Sequence, residues 1–337
     1  MGERPDPGDR SYRRALGGVK PGGVSRGVAR IAAALLTLLL ASVLVFLALN
    51  VLPGDPAAVM LGTEARPDTL AALRRQMGLD QPMPLRWWQW LTGLARGELG
   101  TSHTYGVPVA ELVATRAVVS VPLALLALLV AIGLGIPAGL FAATRHRRTG
   151  DLATMAVALV GLSVPAFWIG ILLVLLFAIG LRWLPAGGFP GWDAGILPGI
   201  AALILPAVAL GLPQAAVLAR VTRTAIVEIM RLDFVRTARS FGLTRTQALR
   251  RHALPNALPP IVTVLGLQFS FLLAGAVIVE NVFYLPGLGR LVVQSVGGRD
   301  LPTLACLVML LVTAVVVVNL AVDLLLLRLD PRLRQRG

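Results

Sequence analysis

An all-α, polytopic membrane fold with six transmembrane helices is the class this sequence predicts, and three observations carry it. Hydrophobic residues fill 56% of the 337 positions and charged residues only 14%, too few charges to clothe a water-soluble domain. Six stretches without Lys, Arg, Asp or Glu reach the roughly 20 apolar residues that a bilayer-spanning helix needs. They are Ile31–Gly54, Ala117–Thr144, Leu152–Leu181, Ala194–Ala219, Ala253–Val279 and Leu301–Val322. The third observation is where charge falls. With the N-terminus in the cytoplasm, six crossings return the C-terminus there. The whole +14 excess then lies on inside segments while the outside ones balance, as the positive-inside rule expects. A basic balance can also mark nucleic-acid binding, but here the basic residues flank spans, and topology accounts for them.

Residues 1–30, rich in Gly, Pro and Arg, read as a cytoplasmic tail, and 31–337 as the membrane domain. The first span is too long for a signal-peptide apolar region of about 7–15 residues and lacks a small-residue cleavage site, so it is an uncleaved span. Residues 51–116 form an extracytoplasmic loop region. Within it Pro67-Asp68-Thr69 suits a helix start, Leu70, Leu73 and Met77 follow at helical spacing, and Gly78 ends the run. Trp87, Trp88 and Trp90 read as interfacial anchors in preference to ligand contacts.

A short cytoplasmic loop, Arg145–Arg148, joins spans two and three, and Arg182–Asp193 joins three and four outside. Span four carries Pro198, Pro206 and Pro213, and proline inside a membrane helix usually kinks it. Glu280 and Asp323 lie at span ends; Glu280 suits an outer gate or surface turn, and Asp323 with Arg328 an inside-edge ion pair. Cys306 is the only cysteine, which excludes an intramolecular disulfide and a cysteine metal cluster. No internal repeat is visible.

The segment 220–255 is the most patterned part of the chain. Arg220, Thr222 and Arg223 mark where span four leaves the lipid. Asp233 to Phe241 can form a short helix that Gly242 terminates in a left-handed conformation. Thr244 sits at an N-cap position with Gln247 three residues on, a capping-box signature for a second helix. Leu254-Pro255 closes the segment, because a residue before proline is pushed out of helical geometry. Arginines alone would serve a loop that only fixes topology. Ordered turn chemistry goes beyond that need and points to a rigid protrusion for docking, with Arg239, Thr244 and Arg245 supporting it.

This segment resembles the EAA motif of ABC-importer permeases, whose essential glycine and terminal Ile-x-Leu-Pro bound a coupling helix. In that register the opening triplet is Arg236, Thr237 and Ala238, the glycine is Gly242, followed by Leu243 and Thr244, and the ending is His252, Ala253, Leu254 and Pro255. Arg236 stands where the family has Glu, and His252 where it has Ile. The form FVRTARSFGL…RHALPNALPP is similar to the dipeptide, oligopeptide and nickel branch. So are LPGDP at Leu52–Pro56, MGLDQPMPLRWWQW at Met77–Trp90, GELGTS at Gly97–Ser102 and SVPAFWIG at Ser163–Gly170. WLPAGG at Trp183–Gly188, ENVFYLPGLGRL at Glu280–Leu291 and LDPR at Leu329–Arg332 complete the series.

The resemblance implies a bacterial cytoplasmic (inner) membrane subunit supplying half of a path for peptides or a related small solute. It implies a homologous second permease, two ATP-binding subunits that carry ATP and Mg, and an extracytoplasmic substrate-binding protein. Arg236 to Gly242 would insert into a groove on the ATPase. Glu280, Asn281, Phe283, Pro286 and Gly287 would form an outer gate or a binding-protein contact. The chain itself carries no P-loop: Lys20 is its one lysine and lacks the glycine pattern. It carries no HExxH or nucleophile elbow either, so no bound cofactor and no enzymatic role are expected. Two other classes stay open on the residues alone: an ATP-independent homo-oligomeric channel or secondary carrier, and a membrane scaffold. Acid-free span centres disfavour the carrier.

Overall fold

Two long helices lying side by side in the same direction organise the structure. This computed structural model describes residues 23–51, 56–61, 66–76 and 78–329. The first 22 residues of the expected tail, residues 52–55 of the Leu52–Pro56 motif, Met77, and 330–332 of the last motif lie outside the described residues. The helices are α1 (Gly23–Val51), α2 (Pro56–Leu61), α3 (Pro67–Gln76), α4 (Met83–Arg96), α5 (Val109–Thr144), α6 (Thr149–Ser163) and α7 (Ala166–Leu173). They continue with α8 (Ile196–Ile229), α9 (Asp233–Ser240), α10 (Arg245–Ala248), α11 (Leu254–Val282), α12 (Leu288–Gly297) and α13 (Leu301–Leu329). Wider π turns follow α7 at Val174–Gly180 and α10 at Leu249–Ala253.

Among the described residues, five helical runs are long and apolar enough to cross a bilayer. The α6–α7 pair, bent by 100°, is a sixth if it counts as one crossing. Helix register decides that it does. A Cβ at Gly211 of α8 would sit 2.7 Å from the Ala127 carbonyl oxygen of α5; one at Gly135 would lie 2.7 Å from that of Ala215, and one at Gly139 2.5 Å from that of Ala219. Numbers rise together on both helices, so α5 and α8 are parallel. Against α8 the bent pair runs the other way: Asp151 meets Arg223, Gly161 faces Ala216 and Gly170 faces Ala209. The pair therefore carries the chain back across. Six crossings result.

The bend is where sequence reading expected an unbroken third span. Pro165 has no N–H to continue the ladder, and Val164 before it is extended at φ −93°, ψ 123°, the geometry a following proline imposes. Trp168 and Ile169 then donate to the Pro165 carbonyl and restart the helix. Pro206 and Pro213, the expected kinks, lie inside an unbroken α8.

Charge-free stretches marked lipid depth, not helix length. Helix α1 begins at Gly23, inside the 1–30 tail. Helix α5 begins at Val109, inside the 51–116 loop, because Val109 and Val113 are buried against Leu288, Leu291 and Leu307. Helix α8 runs past Arg220 to Ile229 because Ala225 and Ile226 are buried against Ala253 and Ala257.

The remaining helices alternate. Gly275 faces Leu210, and the Gln268 side-chain amide donates to the Gln214 carbonyl at 2.8 Å, so α11 is antiparallel to α8. Gly266 of α11 packs on Val322 of α13. Arg30 of α1 pairs with Asp323 at 3.5 Å, which replaces the expected partner Arg328. One end of the bundle thus gathers the start of α1, the Arg145–Arg148 loop, the α9–α10 hairpin and the end of α13. At the other end, α4 lies on α1: Trp90 stacks on Phe46 at 5.9 Å and the Trp87 indole donates to Ser42 Oγ at 3.2 Å, while Trp88 stays exposed. Gly78 at φ 64° ends the α3 turn as expected.

Candidate functional site

The hairpin is built almost entirely by local chemistry. Leu232 is extended and α9 starts at Asp233, whose carboxylate lies in the first turn where the helix dipole favours it. At the far end Gly242 has φ 94°, a backbone that L side chains rarely adopt. Its N–H donates to the Arg239 carbonyl at 3.0 Å and that of Leu243 to Ala238 at 3.4 Å, the paired bonds of a Schellman stop. Thr244 Oγ1 accepts the Gln247 N–H at 3.3 Å, and Gln247 Oε1 accepts the Thr244 N–H at 2.9 Å. Both halves of the capping box are present.

The expected stop at Leu254-Pro255 is not there. Leu254 stays helical at φ −62°, ψ −47°, and its N–H reaches back to Leu249 across a π turn. That wider turn leaves room for a proline ring, and Pro255 enters at the start of α11, where no N–H is missed. The hairpin's second arm, α10, and the fifth span are therefore one continuous helical rod.

Val235, Ala248 and Ala253 are fully buried and root the hairpin in the bundle. Phe234 meets the His252 ring edge-on at 6.3 Å, so the residue that departs from the family pattern bolts the two arms together. Arg236, Thr237, Arg239, Gly242, Thr244, Arg245 and Pro255 are exposed; Ala238, Leu243 and Leu254 are half-buried. Arg236 pairs with Asp233 at 3.5 Å with both side chains largely in solvent, a contact worth little to stability. The outward face is thus a cluster of arginines around an uncovered aromatic tip: Phe241 is 83% exposed, against 43% for Phe234 lower on the hairpin. Sequence reading passed over it, although an aromatic beside the turn glycine in a run of arginines was the signal.

The second predicted group is not a surface. Glu280, Phe283 and Gly287 are buried, and only Asn281 and Pro286 are partly open. The Glu280 carboxylate accepts Ser120 Oγ at 2.5 Å and the Arg290 N–H at 3.0 Å, while Ser120 Oγ accepts the Leu288 N–H at 2.7 Å. This acid holds the start of α12 to α5 and α11, and a Cβ on Gly287 would run into it. Phe283 fills the space above Gly170, and its carbonyl accepts the Gly188 N–H at 2.8 Å. The surface-turn reading of Glu280 is therefore corrected: Ser120 of α5 and the start of α12 cover the acid, and Gly170 with the Gly187–Gly188 turn covers Phe283, which leaves these three residues no open surface in this chain. Tyr284, 69% exposed with φ 53°, is the open side chain there.

Asp300 was missed altogether. It is fully buried at the start of α13. Its carboxylate accepts Ser102 Oγ, the His103 N–H at 3.1 Å and Thr303 Oγ1 at 2.7 Å. Burial pushes its pKa up, but the bonds from Ser102, Thr303 and the backbone outweigh it and hold the group below the ordinary carboxylate value. Beside it His103 is lowered, by burial against the opposing pull of Asp300.

Residues 135–335 match the family described as binding-protein-dependent transport system inner membrane component, and residues 26–111 match its N-terminal companion. The glutathione transport system permease protein GsiC of Salmonella typhimurium is 39% identical over 300 residues, 89% of this chain and 95% of that one. A putative peptide transport system permease protein of Brucella abortus is 42% identical over 305 residues, 90% and 97% of the two chains. Among solved structures, the inward-facing MetNI methionine ABC transporter aligns with a TM-score of 0.54 at 20% identity, over 66% of this chain and 97% of that one. That likeness speaks to the fold.

Proposed function

The chain belongs to the binding-protein-dependent transport system inner membrane component family, and from that premise we propose that its Gly242-hinged hairpin is the coupling element an ATPase subunit grips. The protein is the permease subunit of an ABC importer, a multi-pass protein of the bacterial inner membrane, and not itself an enzyme. Its partners are ATP-binding subunits and a substrate-binding protein. The channel, carrier and scaffold readings fall away with that membership.

The finer reading has the chain paired with a homologous permease over two ATP-binding subunits. Each permease supplies half of the path, and ATP and Mg reside on the ATPases. The cargo is a peptide or a small relative such as glutathione, an assignment supported by the names of the matched permeases. Residues 220–255 face the cytoplasm and 51–116 the outside, supported by the basic charge gathered at the hairpin end.

One observation carries the coupling assignment: a Schellman stop and a complete capping box fix a turn whose outward face is left uncovered, with Phe241 exposed. Preordered backbone with unsatisfied apolar surface is what a docking element needs. A Cβ at Gly242 meets nothing within 4 Å, yet its φ is positive. Gly242→Trp therefore leaves the bundle intact and distorts only the turn and its face. In the assembled importer this variant should abolish uptake while partner-permease binding persists. Uptake at the wild-type rate would remove the coupling assignment.

A further inference from the structure

We propose that His146, Asp151, Arg223 and Arg231 form a transmission clamp that makes the docking hairpin and the α5–α6 turn move as one body during transport; the inference rests on the coupling reading above. Asp151, in the first turn of α6, has a side chain only 1% exposed. Arg223 of α8 grips it bidentately, Nε to Oδ1 at 2.5 Å and a terminal nitrogen to Oδ2 at 2.7 Å. The Arg147 N–H donates to Oδ2 at 2.8 Å, which fixes the α5–α6 turn with Arg147 at φ 63°.

His146 extends this pair outward. Its Nδ1 lies 3.3 Å from Asp151 Oδ2 and 3.2 Å from Arg223, and its Nε2 faces Arg231 at 3.2 Å. Arg231 stands in the turn directly before α9, where its N–H bonds to the Glu228 carbonyl. An unbroken polar chain thus runs from the root of the hairpin through an imidazole into a buried ion pair.

The geometry exceeds what stability needs. A buried carboxylate is satisfied once it is bidentately paired and capped by a backbone N–H. The added reach through His146 to an arginine on the hairpin contributes little to that burial, and it joins two segments 85 residues apart. Second, the hairpin's other arm is already continuous with α11 through the π turn. Without the clamp, a push on the hairpin would reach α11 through that rod and α8 through residues 230–232, with no direct hold on the α5–α6 turn. With it, the same push reaches α5, α6 and α8, whose close packing makes them one slab. The clamp residues position the hairpin.

The test uses the reconstituted importer with its binding protein and ATPases, reading solute taken up per ATP hydrolysed. His146→Ala and Arg231→Ala each break the link without stranding Asp151. Each should lower that ratio about tenfold with the complex assembled, and the double variant should be no worse than either single one. An unchanged ratio, or losses that multiply in the double variant, overturns the clamp. A second arm covers failed assembly. In a Cys306→Ala background, His146→Cys with Arg231→Cys joined by a short thiol crosslinker should retain uptake, because the contact is kept throughout the cycle. Uptake lost on crosslinking and restored by reduction overturns it. If the wild-type complex shows no ATP-dependent uptake, the importer reading fails first.

Discussion

Single buried acids hold together the end opposite the hairpin, and their ionisation gives a measurable signature. Asp300 joins the Ser102–His103 turn to the start of α13 through charged hydrogen bonds, so Asp300→Asn should cost about 2 kcal/mol at neutral pH. Its folded pKa is depressed. The stability it contributes is therefore fully present above the ordinary carboxylate pKa of about 3.9 and is lost as pH falls through the lower folded value. In thermal melts the gap between wild type and Asp300→Asn should be constant from pH 7 to pH 5 and close below about pH 4. A gap that does not narrow anywhere in that acid range would mean it does not arise from ionisation of the carboxylate. His103, lowered by burial, works in a higher window: the folded state resists its protonation, so stability declines as pH drops through about 6.5. Ionised or not, these groups were invisible in the sequence. Asp151, Glu280 and Asp300 find partners 72, 160 and 198 residues away, and no local pattern records such a meeting. Gly242, Thr244 and Gln247 could be read in advance because each satisfies a backbone group within a few residues of itself.

Elements meet through absent side chains, and that too divides what a sequence discloses. The α5–α8 contact places Gly135 and Gly139 on the backbone of α8 and Gly211 on that of α5, small residues that let helices approach where lipid gives no hydrophobic drive. Gly133, on the same helix, has nothing within 4 Å of its Cβ position. Two chemically identical substitutions should therefore have opposite signs. Gly139→Ala pushes a methyl into the Ala219 carbonyl and Thr222, and overpacking of that kind costs about 1–3 kcal/mol. Gly133→Ala adds only helix propensity, a gain of up to about 1 kcal/mol. Melting temperatures in detergent should fall for the first and hold or rise for the second; equal shifts would disprove the interface. The spans themselves were legible from composition, since lipid demands unbroken apolar length. Helix ends were not. Apolar faces at Val109 and Ile226 carry helices beyond the charge-free windows, and the prolines look alike although only Pro165 stands at a break.

At the scale of the whole molecule, the consequence that matters is parity. Were the bent α6–α7 pair a re-entrant loop, the chain would cross five times and its ends would lie on opposite sides. Parallel register between α5 and α8 excludes that, and the Arg30–Asp323 pair independently puts the ends of α1 and α13 together. The hairpin shares that end, which on the proposed coupling reading is the end that faces the ATPases. Exposure can be tested residue by residue in a Cys306→Ala background, which removes the one native thiol. A cysteine replacing Arg239 on the hairpin should react with a membrane-impermeant maleimide only after right-side-out vesicles are opened. A cysteine replacing Tyr284, exposed at the opposite end, should react in sealed vesicles. The reverse pattern would turn the protein over and leave the hairpin where no ATPase could reach it. A cysteine replacing Arg148, exposed in the α5–α6 loop, should label from the same side as the one at Arg239; labelling from opposite sides would break the six-crossing architecture, because 100° of bend at Pro165 would then have returned the chain to the face it came from.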